Sequence, residues 1–195
     1  INRAYFGVRP LTTREGIDTN AIYGFLNILE KVEKEEQPEA LCVAFDLHGP
    51  TFRHLQYDGY KANRHGMPEE LAMQMPVMKD VLRAMNIAIY EKEGYEGDDV
   101  IGSMVRWAEG QDIHSIIITG DKDSLQLISD KTSVFLTKKG ISELAKYDAA
   151  ALKEEYDLVP DQIRDLKGLM GDASDNIPGV PGVGEKTALK LLHQY

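Results

Sequence analysis

A single cysteine, Cys42, leaves this chain no internal disulfide, so its fold must be held by packing and polar contacts alone. The apolar neighbours Leu41, Val43 and Ala44 predict a buried thiol that packs rather than reacts, in a reducing compartment. Long apolar runs are also missing: none could cross a bilayer, and the first residues carry no charged-then-apolar leader pattern, so the expectation is a cytoplasmic protein. Positive charge is scarce as well, with 22 Lys and Arg against 32 Asp and Glu and a net charge of -10. Taken as a sum, that balance opposes nonspecific affinity for a phosphate backbone. What is present is enough apolar material, 43% of 195 residues, to bury the core of one or two globular domains.

The acids are not spread evenly. They gather as Asp46, as Glu96/Asp98/Asp99, as Asp121/Asp123 and as Asp172/Asp175, each beside a run that reads as buried structure. Carboxylates brought together without cations repel and raise one another's pKa values, so a fold that collects them calls for divalent ions. If the acids neutralise metal, the remaining charge is near balance, with basic patches at Arg53 to Arg64, Lys138/Lys139 and Lys186/Lys190.

The pattern of apolar residues alternates as in an α/β sheet. Asp18 or Thr19 caps a predicted helix with Ile22, Phe25, Leu29 and Val32 on one face, ending in the charged run Glu33 to Glu36 before Pro38. Leu41 to Phe45 and Ser115 to Thr119 read as strands covered on two faces, which places Asp46 and Asp121 at strand C-terminal ends. In open parallel sheets that edge is where ligands bind. Leu71, Met75, Met78, Leu82 and Met85 form a helical stripe with Pro76 inside it, and the methionines serve as gap-filling core. Ile87 to Tyr90 is a further strand, and Asp98 to Ala108 a helix with acids in its first turn. The stretch from Arg53 to Pro68 is basic, aromatic and without period, too long for a simple connection.

The tail changes character near residue 150. Pro160 to Met170 and Glu185 to His193 read as helices joined by a glycine-rich hairpin, in which Gly182 and Gly184 let backbone approach a ligand and helix-start N–H groups, with Lys186, hold a phosphate. Every acidic cluster also has an ordinary explanation. Glu96, Asp98 and Asp99 suit a helix N-terminus, Asp121 and Asp123 suit a strand-to-helix cap, and Asp172 and Asp175 suit Asx turns. The joint pattern is what favours a metal site, because caps alone do not require acids at all four places together.

Six segments then carry a resemblance: Ala44-Phe45-Asp46, Gly49-Pro50-Thr51-Phe52-Arg53-His54, Tyr60-Lys61-Ala62-Asn63-Arg64, Gly94 to Gly102, Thr119 to Asp123, and Gly171 to Val180. In order and spacing they resemble the 5' nuclease domains of bacterial DNA polymerase I, in the flap endonuclease family with a PIN-like core. The resemblance implies an α/β fold, a PIN-like mostly parallel sheet flanked by helices, over residues 1–150 with an arch segment at about 53–85, followed by a truncated helix-hairpin-helix module of the H3TH type over 151–195.

It implies two Mg2+ ions, replaceable by Mn2+, with Asp46, Glu96, Asp98 and Asp99 at the first and Asp121, Asp123, Asp172 and Asp175 at the second, some through water. Lys61 and Arg64 would steer the scissile phosphate at the base of the arch. Tyr60 would stack on a base, and Arg53 would meet phosphate or, equally, pair with an acid. Gly179, Gly182, Gly184 and Lys186 would grip the duplex, with K+ at the hairpin. His48 and His54 read as polar packing. The partners implied are DNA with a 5' flap or 5' end and a fused polymerase domain, for a monomeric, structure-specific 5'-3' exonuclease and flap endonuclease acting in replication and repair.

The family begins with an apolar strand ending in an aspartate just before the segment matching Ile1 to Phe6, and it continues past Tyr195. A chain trimmed at both ends, without that strand and its ligand, is expected to bind metal less well. The alternative reading is therefore a fragment that binds branched DNA without cutting it.

Overall fold

The computed structural model describes residues 1–64, 66–138 and 143–195. Lys139, expected to form a basic patch with Lys138, lies outside the described residues, as does His65 in the basic stretch. In chain order the first elements are α1 (Asn2–Gly7), α2 (Asn20–Glu36), β1 (Cys42–Ala44), α3 (Phe52–Gln56), α4 (Glu69–Ala84), β2 (Ala88–Tyr90) and α5 (Gly97–Gly110). Then come β3 (Ser115–Thr119), a 3-10 helix over Lys122–Leu127, β4 (Thr132–Thr137), β5 (Leu144–Tyr147), α6 (Ala149–Tyr156), α7 (Gln162–Met170), the short pair β6 (Gly171–Asp172) and β7 (Ile177–Pro178), and α8 (Glu185–Gln194). The fold is mixed α/β. Its chain divides into two compact units, one of Ile1–Phe45, Gly66–Glu91 and Thr137–Ala145, the other of Asp46–His65, Lys92–Leu136 and Lys146–Tyr195.

In the first unit the 3.6-residue stripes of α2 and α4 supply the core. Ile22 and Leu29 meet Met78 and Leu82, with Phe45 and Ile87 closing the cluster. Helix α2 starts after Thr19 and stops at Gln37, whose left-handed φ of 46° ends the helix while its N–H still reaches the Glu33 carbonyl. The helix α4 runs through Pro76 as one element. Its buried Gln74 accepts from the backbone N–H groups of Ala21 and Ile22 and donates to Asn20 Oδ1 and the Glu70 carbonyl, so a neutral side chain satisfies the start of α2.

The strand β1 runs parallel to β2, pairing Cys42 with Ala88, Val43 with Ile89 and Ala44 with Tyr90. Leu41 and Val43 turn toward the core, but Cys42 between them is exposed, correcting the expected buried thiol. Side chains alternate across a strand, and in β3 Ile117 is buried while Ile116 is 40% exposed. The expected cover on two faces therefore fails on one face of each strand.

Within the second unit Ser115 to Thr119 of β3 pair in parallel with Thr132 to Leu136 of β4. In the same unit α7 and α8 pack together, joined through the antiparallel pair β6 and β7, whose crossing is set by glycines. A Cβ on Gly171 (φ +74°) would lie 2.4 Å from the Gly179 nitrogen, and one on Gly179 would lie 2.3 Å from the Gly171 nitrogen, so neither position has room for a side chain.

Candidate active site

All eight acids expected at metal, with Lys61, Arg64 and Arg53, belong to the second unit. Local backbone chemistry explains part of their placement. Glu96 caps α5, where it exchanges capping contacts with Asp99, and the Glu96 N–H donates to Asp99 Oδ2 at 2.9 Å. Asp46, two residues past β1, accepts from the Gly97 N–H at 2.6 Å, so its carboxylate sits at the start of the same helix. Asp121 caps the 3-10 helix by accepting from the Asp123 N–H at 2.9 Å. Asp172 closes an Asx turn, taking both the N–H and the hydroxyl of Ser174. The ordinary capping roles thus coexist with the gathering of charge.

Asp98 shows that gathering most clearly. Partial burial of its carboxyl, and then the like charges of Asp121, Asp46 and Glu96, push its pKa up to about 6 against the pull of Lys61. Although Asp98 as a whole residue keeps contact with solvent, three acids from separate stretches of sequence therefore act on one carboxyl.

The basic stretch is docked on the turn between β6 and β7. The Lys61 N–H donates to the Asp175 carbonyl at 2.8 Å, Asn63 Nδ2 to the Ala173 carbonyl at 2.8 Å, Arg64 Nε to the Ser174 carbonyl at 3.2 Å, and Asn176 Nδ2 to the Gly59 carbonyl at 2.7 Å. Lys61 adopts a left-handed φ of 55°, which turns the chain at this point. Its ammonium lies 2.7 Å from Glu96 and 3.9 Å from Asp175, and Arg64 pairs with Asp175 as well. Both expected phosphate-steering cations thus stand against the acids.

Three expected roles change with the geometry. Arg53 forms a two-pronged pair with Asp99, at 2.7 and 2.8 Å, which favours its salt-bridge reading and takes up both oxygens of an acid expected at the first metal. Tyr60 is buried, its hydroxyl shared by Glu96 at 2.9 Å and Asp175 at 3.1 Å. With its ring edge-on to His54, it presents no free face to a base, which corrects the stacking role. His54 Nδ1 accepts from the Thr51 N–H at 3.1 Å, as polar packing requires, whereas His48 is exposed.

Sequence reasoning missed Lys167. Near the end of α7 its ammonium lies 2.7 Å from Asp123 and 2.8 Å from Asp172. Lys122, which sits between Asp121 and Asp123 in sequence, points instead to the ring of Tyr156, 5.3 Å from its centroid. The only advance signal for Lys167 was a helical position shortly before the Gly-Asp turn. Gly182 (φ +79°) and Gly184, the residue before α8, lie open to solvent with Lys186 beside them.

Among the described residues, no three His, Cys, Asp or Glu side chains stand in a formed metal arrangement. The donor set nevertheless suits a hard cation: it is all carboxylate oxygen, and Asp123 Oδ1 is buried without a hydrogen bond, its contact with Lys167 being close but misaligned.

Residues 1–157 match the model of the 5'-3' exonuclease N-terminal resolvase-like domain, and residues 158–195 match the 5'-3' exonuclease C-terminal SAM fold. The DNA polymerase I of Bacillus caldotenax is 49% identical over 193 residues, covering 99% of this chain and 22% of that protein. The DNA polymerase I of Caldicellulosiruptor bescii is 45% identical, covering 99% of this chain and 23% of the relative. This chain therefore spans about a fifth of the length of these relatives. In fold it is similar to T5 5'-exonuclease solved with bound zinc, at a TM-score of 0.73 and 24% identity over 89% of this chain and 66% of that one. A bacteriophage T5 flap endonuclease solved with DNA and metal ions gives a TM-score of 0.72 at 24% identity, covering 89% of this chain and 67% of that one.

Proposed function

Because the chain belongs to the 5'-3' exonuclease family, we propose that it is a divalent-metal-dependent 5' nuclease that hydrolyses DNA phosphodiesters at flaps and 5' ends during replication and repair. The observation that carries this reading is the convergence of Asp121, Asp46 and Glu96 on Asp98, whose pKa is pushed up to about 6 by burial first and then by these like charges. A fold that sustains such crowding has a use for hard cations.

Asp46, Glu96 and Asp98 would hold one ion together with Asp121, which the resemblance puts at the second ion but whose charge acts on Asp98, while Asp123, Asp172 and Asp175 would hold the second and Asp99 is reserved for Arg53. Two bound Mg2+ ions, or Mn2+ in their place, supply an activated water and a clamp on the leaving 3' oxygen. The protein's own groups do the rest. Lys61 and Arg64 hold the scissile phosphate and offset its developing charge, leaving a 5' phosphate and a 3' hydroxyl. Tyr60, donating to Glu96 and Asp175, fixes two acids from distant stretches in one orientation. The α7–α8 pair, within residues 151–195, holds the duplex backbone through Gly179, Gly182, Gly184 and Lys186, with K+ at the hairpin. The protein acts as a monomer, and a polymerase region belongs to the same polypeptide.

The test is cleavage of a labelled 5'-flap duplex in Mg2+ by the chain and by an Asp121→Asn/Asp123→Asn variant. Cleavage by the first and none by the second is expected; equal rates would remove the metal role assigned to these acids. A shifted band in Ca2+ with no product in Mg2+ would favour a branched-DNA binder that does not cut.

A further inference from the structure

The acids of the site fall into two kinds. Asp46, Asp98 and Asp121 have no lysine or arginine at ion-pair distance among the described residues, and in their half Glu96 alone is paired so closely, with Lys61 at 2.7 Å, whereas Asp123 and Asp172 both share the ammonium of Lys167, at 2.7 and 2.8 Å. We propose that Lys167 is an internal counter-cation at the Asp123/Asp172 half of the site, which a divalent ion must displace, so that this half fills at higher metal concentration than the Asp46/Asp98/Asp121 half.

This rests on the metal reading above and follows from electrostatics. An ammonium and a divalent ion cannot both lie within about 3 Å of the same two oxygens without strong mutual repulsion. The two contacts differ in kind: Lys167 donates a hydrogen bond to Asp172 Oδ2, whereas Asp123 Oδ1, buried beside the same ammonium, has no hydrogen-bond partner and is the oxygen an entering ion would meet first. The four-carbon stem of a lysine can swing aside, and the Lys167 side chain is already 34% exposed. Once displaced, its charge lies beside the site, where it can meet a phosphate.

The experiment is calorimetric titration of Mn2+ into the full chain and into Lys167→Met and Lys167→Arg. The wild type is expected to show two separable steps. Lys167→Met should tighten the weaker step by about tenfold or more and leave the tighter step within about twofold, while Lys167→Arg, which keeps the charge, should restore the weak step. A weaker step unchanged or loosened in Lys167→Met, or a Met and Arg pair that behave alike, would overturn the proposal alone. A wild type that takes up no Mn2+ overturns the metal reading and the proposal together. Should Lys167→Met unfold without metal, its refolding midpoint in Mn2+ by circular dichroism gives the same reading: below the wild type's weaker step supports the counter-cation, above it refutes it.

Discussion

Gln74 in the first unit and Lys167 in the second solve similar problems by different means. Each is one side chain that serves groups from separate stretches of the chain. Gln74 is neutral, fully buried and completely matched, with two N–H groups accepted and two donors placed. Lys167 is charged, one-third exposed and shared between two acids, hydrogen-bonded to Asp172 and only ion-paired with Asp123. A satisfied neutral node in the core has no lower-energy partner to exchange for, so it fixes structure permanently. An exposed charged node competes at all times with ions and water, so it can be released. The contrast separates framework from function.

Substitution can break that comparison. Gln74→Leu strands the Ala21 and Ile22 N–H groups without water, and should cost about 2–4 kcal/mol in urea unfolding whether or not Mg2+ is present. A loss that Mg2+ repairs would mean the two nodes are not distinct in kind.

Asp98 sharpens the other side. Its folded-state pKa of about 6 lies above the ordinary 3.8, so the folded chain holds this proton more tightly than the unfolded chain. Its contribution to stability is full below 3.8 and is lost as the pH rises through about 6. Carbon-detected NMR titration of the metal-free chain should show the midpoint near 6, moving down toward 3.8 in Asp121→Asn, which removes a neighbouring charge. A midpoint that ignores Asp121 would contradict the crowding.

Arg53→Lys keeps the charge but loses the two-pronged fit to Asp99; because the pair is part-exposed, chemical denaturation should register only about 1 kcal/mol. The smallest effect belongs to Cys42→Ser, expected within about 0.5 kcal/mol by the same measurement, because the thiol faces solvent from β1.

Much of the framework was legible in the sequence. The period of Ile22, Leu29 and Val32 located α2, and the run Ser115 to Thr119 gave β3 its observed limits, because apolar spacing records which face is buried. The same signal misjudged Cys42 and Ile116, since a short apolar run does not reveal whether its second face is covered. The acids of the site were legible as turn and cap residues in a telling order. Their counter-cations were not. Nothing local marks Lys167 as the partner of Asp123 or sends Lys122 to Tyr156, because long side chains choose partners only after the backbone has closed. Tyr60 illustrates the same limit: an aromatic residue in a polar stretch gave no sign that its hydroxyl would join Glu96 to Asp175.

The contact of Gly171 with Gly179 has a further consequence for anyone redesigning this protein. Since Gly171 and Gly179 meet through main chain alone, the close approach that frames the turn Ala173 to Asn176 depends on the absence of side chains at those two glycines. Ala173 and Ser174 meet the Tyr60–Arg64 stretch through their carbonyl oxygens, which any amino acid provides. Ser174 also holds Asp172 through its hydroxyl, so Ala173 is the position of the two where a new side chain can be installed while the scaffold beneath keeps its shape.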